Sequence, residues 1–403
     1  MKATSTNPSK ISRRSLLGWT GLGLGSAIVV GAAGVTIRGA TNGVFNVGDG
    51  DAYELWRQWP SMTGVDRVVG AGALACNPHN TQPWFFDIEG RRIVLSSDPS
   101  RRMPYFDPFL REHFAGLGSA LENMVIAARG AGMQAEISVF PDGVASDIVA
   151  FVDLGPEEAP AVDEATFAQF ISSRHTNRGP FTSRKITEED IQALDYRAGS
   201  SEAKVSWVRD EKQISSFGAL LVEATESIVS DENQSVESFG WFRLERGDVE
   251  RERDGVTLDC QGIDPATLFA AKIFPPLSRK DGDGVWLSST RDVHTATAAA
   301  YGVVIVPDSA DHAAQLAGGR LLARLHLAAT ERGLAFHHMN QITERIDHDL
   351  STGSPDIFSD RWADVIGTPA RNGLVSFRIG YPDRKPGLSP RRALDDFVAD
   401  QGV

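Results

Sequence analysis

The sequence predicts an α+β protein built from two related halves. Long helical patterns are interspersed with short apolar strands, as in mixed helix-and-sheet folds. One helical stretch recurs without a gap at an offset of 201 residues: Gly118, Leu121, Ala127 and Ala128 return as Gly319, Leu322, Ala328 and Ala329. A third observation is the run Pro78-His79-Asn80-Thr81-Gln82-Pro83-Trp84, which feeds directly into an apolar strand. Its prolines fix φ and bias the preceding residues toward extended backbone.

The elements follow in order. Ala52–Trp59 and Val65–Leu74 read as short helices. Trp84–Ile88 and Arg92–Ser96 read as strands joined at Glu89-Gly90 as a hairpin. Asp98–Pro108 is irregular. Glu112–Gly132 is a helix, with Leu117, Leu121, Met124 and Ala128 on one face. Ala135–Phe140 and Ile148–Leu154 are strands, and Gly155–Ala161 is a linker that marks a boundary. Phe167–Ser173 is a short helix, and Thr187 caps a helix to about Tyr196. Val205–Val208 is a strand and Glu211–Ser230 a long helix. Ser235–Lys280 is charged and irregular. Tyr301–Val306, Leu334–Asn340 and Leu374–Gly380 are strands, with a helix over Ala310–Gly333. Both repeated helices end on a glycine, Gly132 or Gly333, a usual C-terminal stop. Val149-Ala150-Phe151 against Val375-Ser376-Phe377 is a weaker second match. The division expected is 46–160 and 161–403, the second half widened by an insertion at 235–289.

Composition excludes several classes. The 403 residues are 41% hydrophobic and 23% charged, an ordinary globular mixture. A formal charge of −13 argues against a nucleic-acid partner, which requires a basic face. Two cysteines, Cys76 and Cys260, rule out a disulfide scaffold; they read as two buried thiols, with a single bridge between them the alternative left open. Ser12-Arg13-Arg14-Ser15 precedes 22 uncharged residues, Leu16 to Ile37, rich in Gly and Ala. This resembles a twin-arginine (Tat) export signal, which carries proteins across the membrane already folded. Residues 1–45 are therefore expected to direct the chain to the periplasm or the outer face of the membrane. No clean cleavage site follows, and the stretch is long enough to remain as an anchor.

The Pro78–Trp84 run resembles the ring-contacting "SxHNTQPW" motif of the nitroreductase superfamily of flavoproteins, in its Acg-like branch. Asn77 stands where that pattern has Ser. The resemblance covers most of residues 55 to 395. It implies a nitroreductase-like fold, an FMN cofactor and an oxidoreductase. Family members are usually homodimers that hold flavin at the interface. Here the corresponding pieces are divided between the halves. The first half carries the Gln-Pro-Trp segment, and the second carries Arg174-His175-Thr176-Asn177-Arg178 and Ser389-Pro390-Arg391-Arg392. One site per chain is thus expected at the seam of an intramolecular pseudo-dimer, with the chain monomeric and the 235–289 insertion a candidate lid over the flavin.

Residue chemistry agrees with that placement. In an extended segment Arg174, Thr176 and Arg178 share a side, and two guanidinium forks with a hydroxyl suit a phosphate. His175 lies between them, and Arg391 or Arg392 closes the other side. Asn80 and Gln82 offer paired donors and acceptors to the ring edge. Asn77, Pro78 and His79 line the same segment, and His338 and Met339 follow the second long helix where the family lays backbone against the ring. The His337-His338 pair has no partner cluster at metal spacing, so no metal is expected. No catalytic acid or base is singled out, and the electron donor and acceptor are not specified. Two readings stay open: an exported FMN-binding oxidoreductase, or a non-enzymatic flavin-sequestering or redox-sensing protein with a closed site.

Overall fold

The computed structural model describes residues 38–199 and 202–397. The twin-arginine segment lies outside them. Among the described residues no helix is long and apolar enough to cross a membrane.

Two four-stranded antiparallel sheets carry the fold. The first holds β1 (Trp84–Glu89), β2 (Arg92–Ser97), β3 (Met133–Val139) and β4 (Ile148–Glu157), in the order β1-β2-β4-β3. The second holds β5 (Lys204–Val208), β6 (Ala300–Ile305), β7 (Ala335–His338) and β8 (Gly373–Gly380), in the order β5-β6-β8-β7. Each sheet therefore runs first-second-fourth-third. Each also inserts its long helix between its second and third strands: α1 (Arg111–Gly130) in the first half, α3 (His312–Glu331) in the second. The predicted strands all form, most shifted by a residue or two; β4 runs three residues further, to Glu157, into the stretch expected to be a linker. Two helices behind the second sheet were not anticipated, α4 (Gln341–Thr352) and Ser359–Ile366.

The two repeated helices pack on each other at the glycines the repeat singles out. A Cβ at Gly118 would collide with the backbone of Leu316, and one at Gly319 with the backbone of Ala115. Each glycine thus meets the residue three before its counterpart, so the contact is reciprocal. Arg320 Nε and Arg324 Nη1 of α3 reach Glu122 of α1 at 2.8 and 3.0 Å across the same seam. Gly132 and Gly333 adopt left-handed φ values of 82° and 68° just beyond the helix ends.

The 235–289 region is a correction. It is largely helical, with Glu232–Gly240, Arg246–Glu252, Pro265–Ile273 and Arg279–Ser289. Three of the four starts are capped by side chains: Asp231 accepts from Asn233 and Gln234, Asp264 from Ala266 and Thr267, and Ser278 from Asp281. Dense charge hid short helices that present one face inward. The preceding helix α2 (Glu211–Ser230) lies where the sequence put it.

Candidate functional site

The Pro78–Trp84 run is not extended. It makes a tight turn in which His79, Asn80 and Gln82 take left-handed φ of 45°, 56° and 53°. That conformation costs a non-glycine residue about 1–2 kcal/mol. Side chains hold it in place. Asn77 Oδ1 accepts from the Gln82 amide at 2.8 Å. Asn80 donates to the carbonyls of Gly255 and Pro390 at 3.0 and 2.9 Å and accepts from Arg391. Gln82, fully buried, donates to Arg253 O and accepts from Arg392 N. The amides of Asn80 and Gln82 therefore tie three segments together, and neither side chain lines the cavity described next.

That cavity, about 1570 Å³, opens between the halves. The first half contributes Cys76, Asn77, Pro78, His79, Glu112 and Gly116. The second contributes Thr176, Arg178, His294, His337, His338, Asn340, Gln341 and Glu344. Phe239, Phe242, Leu244, Ile273, Phe274 and Trp286 of the insertion form an apolar wall.

One end is basic. Arg178 lines it and spends one contact, to Cys260 O at 3.3 Å. Arg174 lies one ring layer behind: it donates to Leu74 O at 3.0 Å and meets His326 Nδ1 at 3.4 Å, and the His326 ring is 5.3 Å from His338. Arg378 and Arg391 are buried close by. Among the described residues none of these four guanidinium groups has a carboxylate partner. The Nε atoms of Arg174 and Arg391 are buried without a partner at all. Burial pushes Arg378 and Arg391 down to about 9. Buried cations left unpaired are costly, and an anion among them would relieve that cost. The surrounding imidazoles are neutral: burial depresses His79 to about 4 and His338 to about 3. Arg378 Nε donates to His337 Nδ1 at 3.0 Å, which leaves the proton of that ring on Nε2.

The opposite side is acidic, which the sequence did not suggest. Glu112, in the first turn of α1, lines this side together with Glu344 of α4 and Asn340. Burial and the neighbouring carboxylates raise both glutamates, Glu344 the more strongly.

The predicted residues fall into two groups. Asn77, Pro78, His79, Thr176, Arg178 and His338 meet at the cavity. The others do not line it. The alternation expected for 174–178 fails because Arg174 is turned inward to Leu74 O. His175 packs edge-on against Trp56 with centroids 4.5 Å apart. Met339 is buried in the core behind the second sheet. Arg391 stacks 4.8 Å over Trp56 and bonds the carbonyls of Leu74, Ala75 and Pro390, and Arg392 packs over Phe397. The structure also brings Cys76 and His326 to His338, with ligand atoms within 4.8 Å of one another, a cluster invisible in the sequence. The Arg174 guanidinium beside it disfavours a cation there.

No family model matches the sequence. Over 279 residues it is 26% identical to "Putative NAD(P)H nitroreductase Rv3131" of Mycobacterium tuberculosis H37Rv, an alignment spanning 69% of this chain and 76% of that protein. The chain is related to nitroreductases. "Uncharacterized protein Rv3127" of the same organism is 29% identical over 146 residues, 32% of this chain and 42% of its own. Among solved structures, the FMN-dependent nitroreductase NfnB of Mycobacterium smegmatis in complex with NADPH is similar at 17% identity and TM-score 0.38, covering 58% of this chain and 96% of that one.

Proposed function

We propose that this chain is an FMN-dependent oxidoreductase of nitroreductase type, with one flavin site at the seam of two halves that arose by duplication. The observation that carries the reading is the cavity with Arg178 at one end and three further guanidinium groups, Arg174, Arg378 and Arg391, buried behind it with no carboxylate partner among the described residues. Arg178 and Thr176 would take the phosphate directly, and Arg174 would add its charge from behind. The turn at His79–Gln82 would present backbone and the Asn77, Pro78 and His79 side of the segment to the ring. Bound flavin supplies two-electron transfer; the protein binds it, orients it and keeps water away. The identical strand orders and the reciprocal glycine contacts support the duplication. The twin-arginine run supports export, and we include it in the proposal.

The insertion separates this reading from a flavin store. Its apolar wall would suit either. A cavity of about 1570 Å³ exceeds the roughly 300–1,000 Å³ of ordinary ligand pockets and leaves room for an acceptor beside a cofactor, which favours turnover. The test is the visible spectrum of the purified protein before and after anaerobic NADPH. A flavin spectrum that bleaches supports an accessible, reducible cofactor. A flavin spectrum indifferent to NADPH, and also to chemical reductant in the presence of acceptor, supports the store. No flavin after incubation with FMN overturns the proposal.

A further inference from the structure

Helix Pro265–Ile273 of the insertion is built inside out. A surface helix ordinarily turns its apolar side to the core and its charges to water. Here the one buried residue is the charged one. Lys272 points inward, 2.5 Å from Asp259, and donates to Gly43 O at 3.3 Å. Leu268, Ala270, Ala271 and Ile273 are only half-buried. Phe269 is 47% exposed, and Phe274, just past the helix, is 58% exposed. The chain continues as Pro275-Pro276-Leu277, and from Pro265 to Lys280 it holds no acidic residue, in a protein of net charge −13. Clustered aromatic and aliphatic side chains held in water stabilise nothing, so this face calls for an apolar neighbour.

Two observations say which neighbour. The first is the segment that packs on the helix. A Cβ at Gly39 would touch Ile273, and Asn42 donates to Lys272 O at 2.9 Å, so residues 38–47 lie against it. Phe45 of that segment is 77% exposed. Directly before Arg38 the sequence carries the 22 uncharged residues Leu16–Ile37, enough to enter a bilayer. The second is the mouth of the cavity. The exposed residues of its lining all fall between 274 and 288, beginning with Phe274, Pro275 and Pro276, and Arg38 lines it as well. The apolar face, the end of the apolar run and the mouth therefore coincide.

We propose that residues 265–277, with Phe45, seat on a lipid bilayer, and that the cavity is filled from it by an apolar molecule dissolved in lipid. Aromatic side chains suit that boundary, and exposed Lys280 at the edge suits anionic headgroups. The docking stands on the surface alone. The ligand class rests on the oxidoreductase reading, in which that molecule is the electron acceptor.

The full chain reconstituted into vesicles of phosphatidylcholine and phosphatidylglycerol tests the docking. A fluorophore is attached through Phe269→Cys, and through Tyr196→Cys on helix Glu188–Ala198 as the reference; Cys76 and Cys260 are buried and stay unlabelled. Nitroxide groups on the lipid chains should quench the label at position 269, and aqueous iodide should not, with the reverse at 196. Iodide quenching at 269 places the face in water and overturns the docking. Quenching by neither means that protein covers the face, a second copy or residues 16–37 themselves, and overturns it too. Entry from lipid is read on Phe45→Asp with Phe269→Asp, since neither residue lines the cavity. Bound flavin is reduced chemically and reoxidised by a long-chain quinone dissolved in the vesicles, or by a short water-soluble one. Either quinone takes a hydride from the flavin and a proton from water. The double variant should slow the first reaction about tenfold and leave the second unchanged. Equal slowing of both, or of neither, overturns entry from lipid. A chain that takes no FMN overturns the oxidoreductase reading and the ligand class with it, while the label, read without flavin, still decides the docking.

Discussion

Arg178 and Gln82 show how differently two residues of a resembled motif are used. The Arg178 guanidinium faces the cavity with one weak backbone contact, so its charge is available to a ligand. Replacing it by alanine should weaken FMN binding by about 1.5–3 kcal/mol, roughly a 10- to 150-fold rise in Kd, with little loss of fold. Titration by flavin fluorescence quenching measures this, and an unchanged Kd would remove Arg178 from the site. The side chain of Gln82, by contrast, is spent on Arg253 O and Arg392 N. Asn77, His79, Thr176 and Arg178, which residue type and spacing grouped, line one cavity. Type and spacing did not reveal that the Asn80 and Gln82 amides brace a left-handed turn, because an amide reads the same whether it faces a ligand or a distant carbonyl. The acid pair was illegible for a related reason: Glu112 and Glu344 lie in separate halves, and a lone glutamate in a helix is ordinarily solvated.

At the level of elements, the crossing of α1 on α3 depends on two glycines. Gly319→Ala would drive a methyl into the Ala115 carbonyl, with backbone on both sides and no flexible side chain to yield. The expected cost is about 3 kcal/mol, at the upper end of typical overpacking. Gly247→Ala, in a short helix with open space around the added carbon, should change stability by less than about 1 kcal/mol. Thermal or denaturant unfolding of the two variants makes the comparison, and equal stabilities would mean that the helices slide apart freely. The repeat was legible because that close approach admits no side chain, so the same residue type is required at the same helical position in each half. The insertion was not, since its helices are short and their charged faces mask the apolar one. Its start signals were nonetheless in the sequence: Asp264-Pro265 is a cap followed by proline at the first helical position.

The whole molecule stores an unusual proton balance. Of its nine histidines, seven are held below their ordinary pKa, chiefly by burial: His79, His113, His175, His294, His326, His337 and His338. Each is neutral when folded and protonated when unfolded below about pH 6.5. Their contribution is therefore present above that pH and is lost as pH falls, by about 1.4 kcal/mol per unit for each ring until its folded pKa is reached. The carboxyls work the other way. Asp107, raised to about 8 by burial and by Glu112, and the Glu112–Glu344 pair bind protons more tightly when folded. Their contribution is full below about pH 4 and is lost as pH rises. Melting temperature should thus fall steeply below about pH 6.5 and decline more gently on the alkaline side. Glu344→Gln should flatten the alkaline decline and leave the acid limb in place. Melts between pH 4 and 9 measure both limbs, and a flat acid limb would mean that the histidines are wetter than the structure has them.

The strap at Ser389–Arg392 carries a consequence in time. The turn at His79–Gln82 is held by partners made very late in synthesis; the bond from Arg392 N to the Gln82 side chain closes a span of 310 residues. Chains emerge N-terminus first, and contacts of such separation are slow to form. The supports from Pro390, Arg391 and Arg392 are therefore missing from the turn until almost the entire polypeptide has been made. Capture of a cofactor becomes one of the final events of maturation, and a half-built chain has nowhere to put one.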